Sequence, residues 1–233
     1  PELYKHYDDK EAIVVVVDIF RATTAICTAI ENGVDHIVPV PSLEEARKFK
    51  EKGYIVAAER DGKVLDFADF GNSPFNFTRD RIEGEKVAYS TTNGTKAVKL
   101  AKNSQLALIA SFVNISAVAD LLLQKKQRVL ILCAGWKGTF CLEDAVFAGA
   151  LGEKLLADDV FWSDCDSLTA SLDLWSQAKK DVLQYIEKAM QRHRLKRLGI
   201  DDILEYAHTP DSSSRIPVYM NGIITDFHKT TNL

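Results

Sequence analysis

An unbroken β-branched run, Ile13 followed by four valines, ends at Asp18. It is too short to be a helix by itself and suits a strand covered on both faces, the usual setting of a parallel sheet. Residues 22–31 then carry an apolar helical pattern that stops at Asn32 and Gly33, a pair suited to a C-terminal cap. Arg21 or Thr23 stands at the helix start. Strand, short turn and helix in that order restrict the chain to layered α/β architectures.

The same grammar repeats. Strands are predicted at 36–40, 55–58, 87–90, 106–110 and 128–133, and helices at 42–52 (capped by Ser42), 95–102, 115–123 and 142–156. From about Asp158 the pattern changes to helices at 167–176, 179–194 and 201–206, and residues 216–224 read as one or two strands about a turn at Asn221-Gly222. The expected fold is α/β, a mostly parallel sheet sandwiched by helices. It forms a single unit over 1–233 made of two closely joined subdomains, 1–125 and 126–233, with the active site at the strand carboxyl ends. The polar stretch 59–81 has little periodicity, and so long a loop in a compact domain is read as functional.

The 233 residues are 46% hydrophobic and 27% charged, as expected of an ordinary folded chain with a sizeable core. A formal charge of -4 argues against nucleic acid as the main partner, because phosphate-backbone binding depends on Lys and Arg. No apolar run approaches a bilayer span and nothing at the start reads as a signal peptide, so a cytoplasmic protein without membrane partners is expected. The four cysteines fit neither a CxxC pair nor a zinc module and read as reduced thiols. The chain starts at Pro1 rather than Met, so it is read as processed or as a fragment.

In a doubly wound sheet the strand carboxyl ends and the following helix N-termini form the ligand crevice, because unpaired N–H groups there attract anions. Polar clusters fall at these places. Asp18, Arg21, Thr23 and Thr24 put a carboxylate, a guanidinium and two hydroxyls round a helix start, a set suited to a phosphate or sulfonate. An Asp–Arg ion pair with Thr23 as N-cap is the structural alternative. Thr91, Thr92, Asn93, Gly94 and Thr95 can make an oxyanion cradle or a plain turn with a cap. Glu143 and Asp144 can offer oxygens to Mg2+ together with Asp18 or Glu59, or can simply complement a helix dipole. Asn72 and Ser73 can face a ligand. Cys133 reads as an interior thiol rather than a nucleophile, and the basic stretch 188–197 as a solvated helix face.

Taken together, residues 17–24, Gly71-Asn72-Ser73-Pro74, residues 91–95, Cys133-Ala134-Gly135, and Leu142-Glu143-Asp144 with Ala148-Gly149 resemble the successive motifs of the 2-phosphosulfolactate phosphatase family, over roughly residues 11–152. The resemblance implies an α/β enzyme that hydrolyses 2-phosphosulfolactate to sulfolactate and phosphate with Mg2+, a step toward coenzyme M. It also implies a strand ahead of the Asp18 strand, most of which this chain lacks.

On this reading Asp18 and Arg21 are the catalytic residues. Thr23, Thr24, Asn72, Ser73, Thr92, Asn93, Gly94, Thr95 and Gly135 bind substrate, and Asp18, Glu59, Glu143 and Asp144 hold the metal. Asp18 either attacks phosphorus or binds metal while water attacks. Arg60 or Lys137 is a second cation for the substrate's other acid group. The partner is a small phosphate monoester, and a homo-oligomer is compatible with the sequence. The rival readings are a non-catalytic sensor of a phosphorylated or sulfonated metabolite and a phosphosugar isomerase or lyase.

Overall fold

A computed structural model describes the chain except for residues 1–3, 8, 9, 61, 92, 93 and 233. The β-branched run forms β1 (Ile13–Val17), buried along its whole length. Its neighbours β6 (Leu106–Ala110) and β7 (Val129–Cys133) both run parallel to it, with Val17 paired to Ala110 on one side and Cys133 on the other. That register brings Asp18, Ser111 and Ala134 out side by side at the carboxyl end of the trio.

A second parallel trio is made by β3 (Ile55–Arg60), β5 (Lys86–Ser90) and β2 (His36–Pro39), with the two-residue β4 (Lys63–Val64) folded back on β3. Between the trios lies the hairpin β8 (Pro217–Met220) and β9 (Ile223–Asp226), giving the nine-strand order β4-β3-β5-β2-β9-β8-β6-β1-β7 among the described residues. The hairpin turns at Asn221 and Gly222, both at positive φ (51° and 87°), where a two-residue turn that follows the strand twist needs them. The parallel pairing expected from the sequence thus holds inside each trio, and the α/β class is borne out. Residues beyond 125 supply both an edge strand, β7, and the hairpin in the middle of the sheet.

Three antiparallel pairings separate the trios, so their strands run in opposite senses along the sheet. A twist of about 20–25° per neighbour accumulates to about 120–150° over the six steps from β1 to β3 and largely undoes that reversal. The carboxyl ends of β1 and β3 therefore come close together. Inside this curved sheet lies α1 (Ala22–Glu31), buried from Ala22 through Ile30, its three threonine hydroxyls each donating to a backbone carbonyl. It packs with α4 (Gly94–Leu100) against Val14, Val16, Ile37, Val87, Tyr89 and Ile109 of the inner face.

The outer face is covered at one end by α2 (Leu43–Glu51), capped by Ser42 as the sequence suggests. At the other end it is covered by α5 (Ile115–Lys125), α6 (Leu142–Leu156) and the helices that follow. The long loop 59–81 holds β4, a 3-10 turn at Pro74–Asn76 and the one-turn α3 (Arg79–Ile82). Beyond α6, α7 (Asp166–Ala178) packs so closely that a Cβ on Gly149 would lie 2.0 Å from the carbonyl of Ser171.

The sequence suggests one helix over 179–194; the structure has two, α8 (Val182–Ile186) and α9 (Met190–Leu198). Ala189 is extended between them, Asp181 caps the first through the N–H of Gln184, and Arg192 ties the second to Glu187 and Asp201. A last short helix, α10 (Leu204–Ala207), precedes the hairpin. Among the described residues no helix is long and apolar enough to cross a membrane.

Candidate active site

Asp18 leaves β1 into a turn held by its own threonines. The Thr23 hydroxyl accepts from the Asp18 N–H at 3.0 Å and donates to the Asp18 carbonyl at 2.9 Å, and the Thr24 hydroxyl donates to the Ile19 carbonyl at 3.0 Å. Both threonines are fully buried, and their hydroxyls serve this turn. Asp144, in the first turn of α6, fastens the neighbouring strand end. Its Oδ1 accepts the Ile19 N–H at 2.9 Å and its Oδ2 accepts the Gly135 N–H at 3.0 Å, so Gly135 joins the site through its backbone.

Three carboxyl groups, the buried Glu143 and Asp144 and the half-buried Asp18, lie close enough to repel one another. Burial pushes Asp18 up to about 6, against the pull of the Ala22 N–H and the Arg21 guanidinium. Burial and then Asp18 push Glu143 up to about 7, while the Cys141 thiol donates to it. Asp144 is held well above its usual value by burial and both neighbours, opposed by its two backbone donors. Burial also drives the Cys133 thiol far up, with Asp144 adding to it, so that thiol is a poor nucleophile at neutral pH.

On the facing side, Arg21 Nη2 reaches both oxygens of Glu59 at 2.7 Å. Arg60, next along β3, donates to the Glu59 carbonyl at 2.7 Å and the Ser90 hydroxyl at 3.3 Å. Gly94 sits against the acid group: a Cβ there would lie 2.4 Å from Ala22 Cβ and 3.1 Å from Asp18 Oδ2, so only glycine lets α4 start this close. Thr91 and Thr95 cap each other, each hydroxyl accepting the other's N–H at 3.0 and 3.2 Å. Thr92 and Asn93 lie outside the described residues.

Gly71 abuts the carboxylate of Glu59, which carries the 72–73 segment to the same place. There Asn72 Oδ1 and Ser73 Oγ are buried without hydrogen-bond partners among the described residues, as are Tyr89 Oη and Glu143 Oε2. Unmatched buried polar atoms are uncommon and mark places where a ligand or ion completes the bonding. Tyr89 was not singled out by sequence reasoning. Its field comes from Asp18, Arg21 and Glu59, which places it beside all three. The one available signal was a phenol inside an otherwise apolar strand that runs into a threonine-rich turn.

For Mg2+ the donors divide clearly. Both Glu59 oxygens are on Arg21 and both Asp144 oxygens are on backbone N–H groups. Glu143 Oε2 remains without a partner among the described residues, and Asp18, although the Ala22 and Arg21 N–H groups bond its carboxylate, has no side chain claiming it as Arg21 claims Glu59. Mg2+ usually takes one or two carboxylates and keeps waters and substrate phosphate for the rest, so this pair fits it. Among the described residues no group of three or more His, Cys, Asp or Glu is arranged to hold a metal by itself.

Fold and site together define an α/β enzyme with an acid-rich cleft, bordered by two guanidinium groups, where its parallel strands end. The chain belongs to the 2-phosphosulpholactate phosphatase family, whose model matches residues 1–222. A protein of Caldanaerobacter subterraneus subsp. tengcongensis, named probable 2-phosphosulfolactate phosphatase, is 32% identical over 230 residues, covering 96% of this chain and 95% of that protein. Proteins of the same name from Thermotoga petrophila and Synechococcus sp. (strain CC9605) are 33% and 38% identical, over 90% and 81% of this chain and 89% and 80% of their own lengths. By these names the relatives are phosphoric monoester hydrolases, and the resemblance read from the motifs is borne out.

Proposed function

We propose that this chain hydrolyses 2-phosphosulfolactate, or a similar small anionic phosphate monoester, to the alcohol and inorganic phosphate with Mg2+. One observation carries the reading: the unpartnered Glu143 Oε2 lies beside Asp18 in a buried cleft whose other wall is Arg21 anchored on Glu59. Bound by Asp18 and Glu143, Mg2+ would supply positive charge to the phosphoryl oxygens.

The protein groups divide the remaining work. Arg21 has Nη2 committed to Glu59, which leaves the rest of its planar fork for phosphoryl oxygens in a fixed orientation. Asp18, ionised above pH about 6, stands at the strand end either to attack phosphorus or to take a proton from an attacking water. Phosphoryl transfer gains mainly from such positioning and charge, so a rigid cleft fixed by Asp144, Thr23 and Thr24 suits it. Asn72, Ser73 and Tyr89 offer neutral hydrogen-bonding groups to the ester and its tail. Four free cysteines, Cys165 among them exposed, support a reducing cytoplasmic setting.

The test is phosphate release from racemic 2-phosphosulfolactate and a panel of monoesters, with Mg2+ or EDTA. Metal-dependent release confined to phosphosulfolactate supports the full reading. Release from other esters alone keeps the reaction and discards the substrate. Tight binding without release converts the chain to a sensor.

A further inference from the structure

The chain is acidic overall, yet one recess beside the cleft has basic residues and, among the described residues, no carboxylates in its lining. A cavity of about 310 Å³ is lined by Trp136, Lys137, Arg194, Arg197 and Leu198. An open recess of about 700 Å³ shares Arg197 and continues along Lys188, Met190, His193 and Lys196. The basic face of α9, which its sequence alone assigns to solvent, is therefore one wall of a depression.

Its position ties it to the candidate active site from two directions. Trp136 follows Gly135, whose N–H is on Asp144. Leu198, in the same lining, lies within 3.2 Å of where a Cβ on Gly62 would stand, and Gly62 is in the hairpin that follows Glu59 and Arg60. The end of α9 thus spans the two walls of the cleft. The Arg194 guanidinium carbon is 5.2 Å from the centre of the Trp136 ring, and Lys137 Nζ is 4.6 Å from it. Arg194 makes one long contact, 3.5 Å to Gln191 Oε1, and Arg197 makes no hydrogen bond or ion pair among the described residues. Arg192 on the same helix, by contrast, is buried and consumed by Glu187 and Asp201. Two guanidinium groups without a carboxylate among the described residues, set round an indole at the mouth of an anion-handling cleft, match the oxygens of a carboxylate or sulfonate.

The geometry points to Arg194 and Arg197 as specificity-determining residues that bind a second anionic group of the substrate, a carboxylate or sulfonate, while its phosphate lies at Arg21 and Asp18. This assignment rests on the phosphatase reading above. It selects phosphate esters with an acidic tail over those with a neutral one, and the remaining basic residues of the recess draw such polyanions in.

The experiment compares kcat/KM for 2-phosphosulfolactate and for p-nitrophenyl phosphate, whose tail carries no charge, in the full chain and in Arg197→Ala, Arg197→Lys and the Arg194→Gln/Arg197→Ala double variant. The expected result is that the preference for phosphosulfolactate falls about 10- to 100-fold in the alanine and double variants, through KM rather than kcat, with partial recovery in the lysine variant. A preference that stays constant, whether both substrates suffer equally or neither does, overturns the assignment. Should the unaltered chain hydrolyse neither ester, the phosphatase reading fails by itself. Trp136 fluorescence titrated with 2-phosphosulfolactate then decides: a response abolished by Arg197→Ala and by Trp136→Phe sustains the subsite, and the absence of any response ends it.

Discussion

Arg21 Nη2 holds both carboxylate oxygens of Glu59 at 2.7 Å, joining residues 38 apart in sequence and six strands apart in the sheet. The pair is largely buried, with side-chain exposures of 4% and 14%. Removing one partner strands the other, which costs about 3–5 kcal/mol for a buried ion pair. Glu59→Gln is accordingly expected to lower thermal stability, and to lower activity because the guanidinium loses its fixed direction. Arg21→Ala removes the group proposed to face the phosphate, and kcat is expected to fall about 100- to 1000-fold. Melting curves and single-substrate kinetics on the two variants separate these effects, and an Arg21→Ala enzyme with unchanged kcat removes Arg21 from the reaction.

Asp18 couples stability to activity with opposite signs. Its carboxyl titrates near 6 in the fold against 3.8 ordinarily, raised chiefly by burial. The folded state therefore binds the proton more tightly, and this contribution to stability is complete below pH 3.8 and lost as pH rises through about 6. In metal-free protein at pH 8 the ionised, half-buried Asp18 costs about 3 kcal/mol. Asp18→Asn is expected to abolish turnover yet melt several degrees higher than the unaltered protein at pH 8, the gap closing by pH 4. Calorimetry in EDTA across that range checks it, and a gap independent of pH sinks the argument.

Much of this was legible beforehand, for physical reasons that differ between elements. A strand buried on both faces must read as continuous β-branched residues, so β1 and the acid at its end stood out; Ser42, Asn221 and Gly222 carry their turn chemistry locally. The division of labour inside the site was hidden because it depends on contacts far apart in sequence. Asp144 and Glu143 are neighbours of the same chemistry, yet one is spent on Ile19 and Gly135 and the other keeps an open oxygen. Thr23 and Thr24 look like phosphate donors until their carbonyl partners are seen. The insertion of β8 and β9 between the trios, and the break between α8 and α9, follow from tertiary pairing that no local pattern encodes.

The Glu143 oxygen gives a prediction about the metal. A cation bound in the folded state alone stabilises by about 2.7 kcal/mol at a concentration one hundred times its dissociation constant. Mg2+ is expected to raise the melting temperature of the unaltered chain, EDTA to reverse the rise, and Glu143→Gln to remove most of it while the protein remains folded. Asp144→Asn is expected to act differently. The amide oxygen can replace only one of the two acceptors, and the donor NH2 then faces the other N–H of Ile19 or Gly135, so that variant loses stability with or without Mg2+. Thermal shift with and without Mg2+ on both variants distinguishes a ligand from a clamp, and equal Mg2+ responses in the unaltered chain and Glu143→Gln exclude Glu143 as a ligand.

His208 is expected to lower the stability of the fold in acid. Its ring lies between Phe20 and Phe112, with centroid distances of 5.2 and 5.4 Å, its Nδ1 bonds the Leu204 carbonyl at 2.8 Å and its Nε2 has no partner among the described residues. Burial lowers its pKa from 6.5 to about 4. Between those values the unfolded chain takes a proton that the folded chain refuses, so stability is whole above pH 6.5 and declines as pH falls toward 4. The loss amounts to about 3 kcal/mol from this residue. Asp18 and Glu143 act in the opposite sense over part of the range, so the raw profile mixes the contributions. The difference between the unaltered protein and His208→Gln, which cannot charge, isolates the histidine. Urea midpoints at pH 4.5, 5.5, 6.5 and 7.5 are expected to favour the unaltered protein less and less as pH falls, and parallel profiles would show that His208 is not the group that fails first in acid.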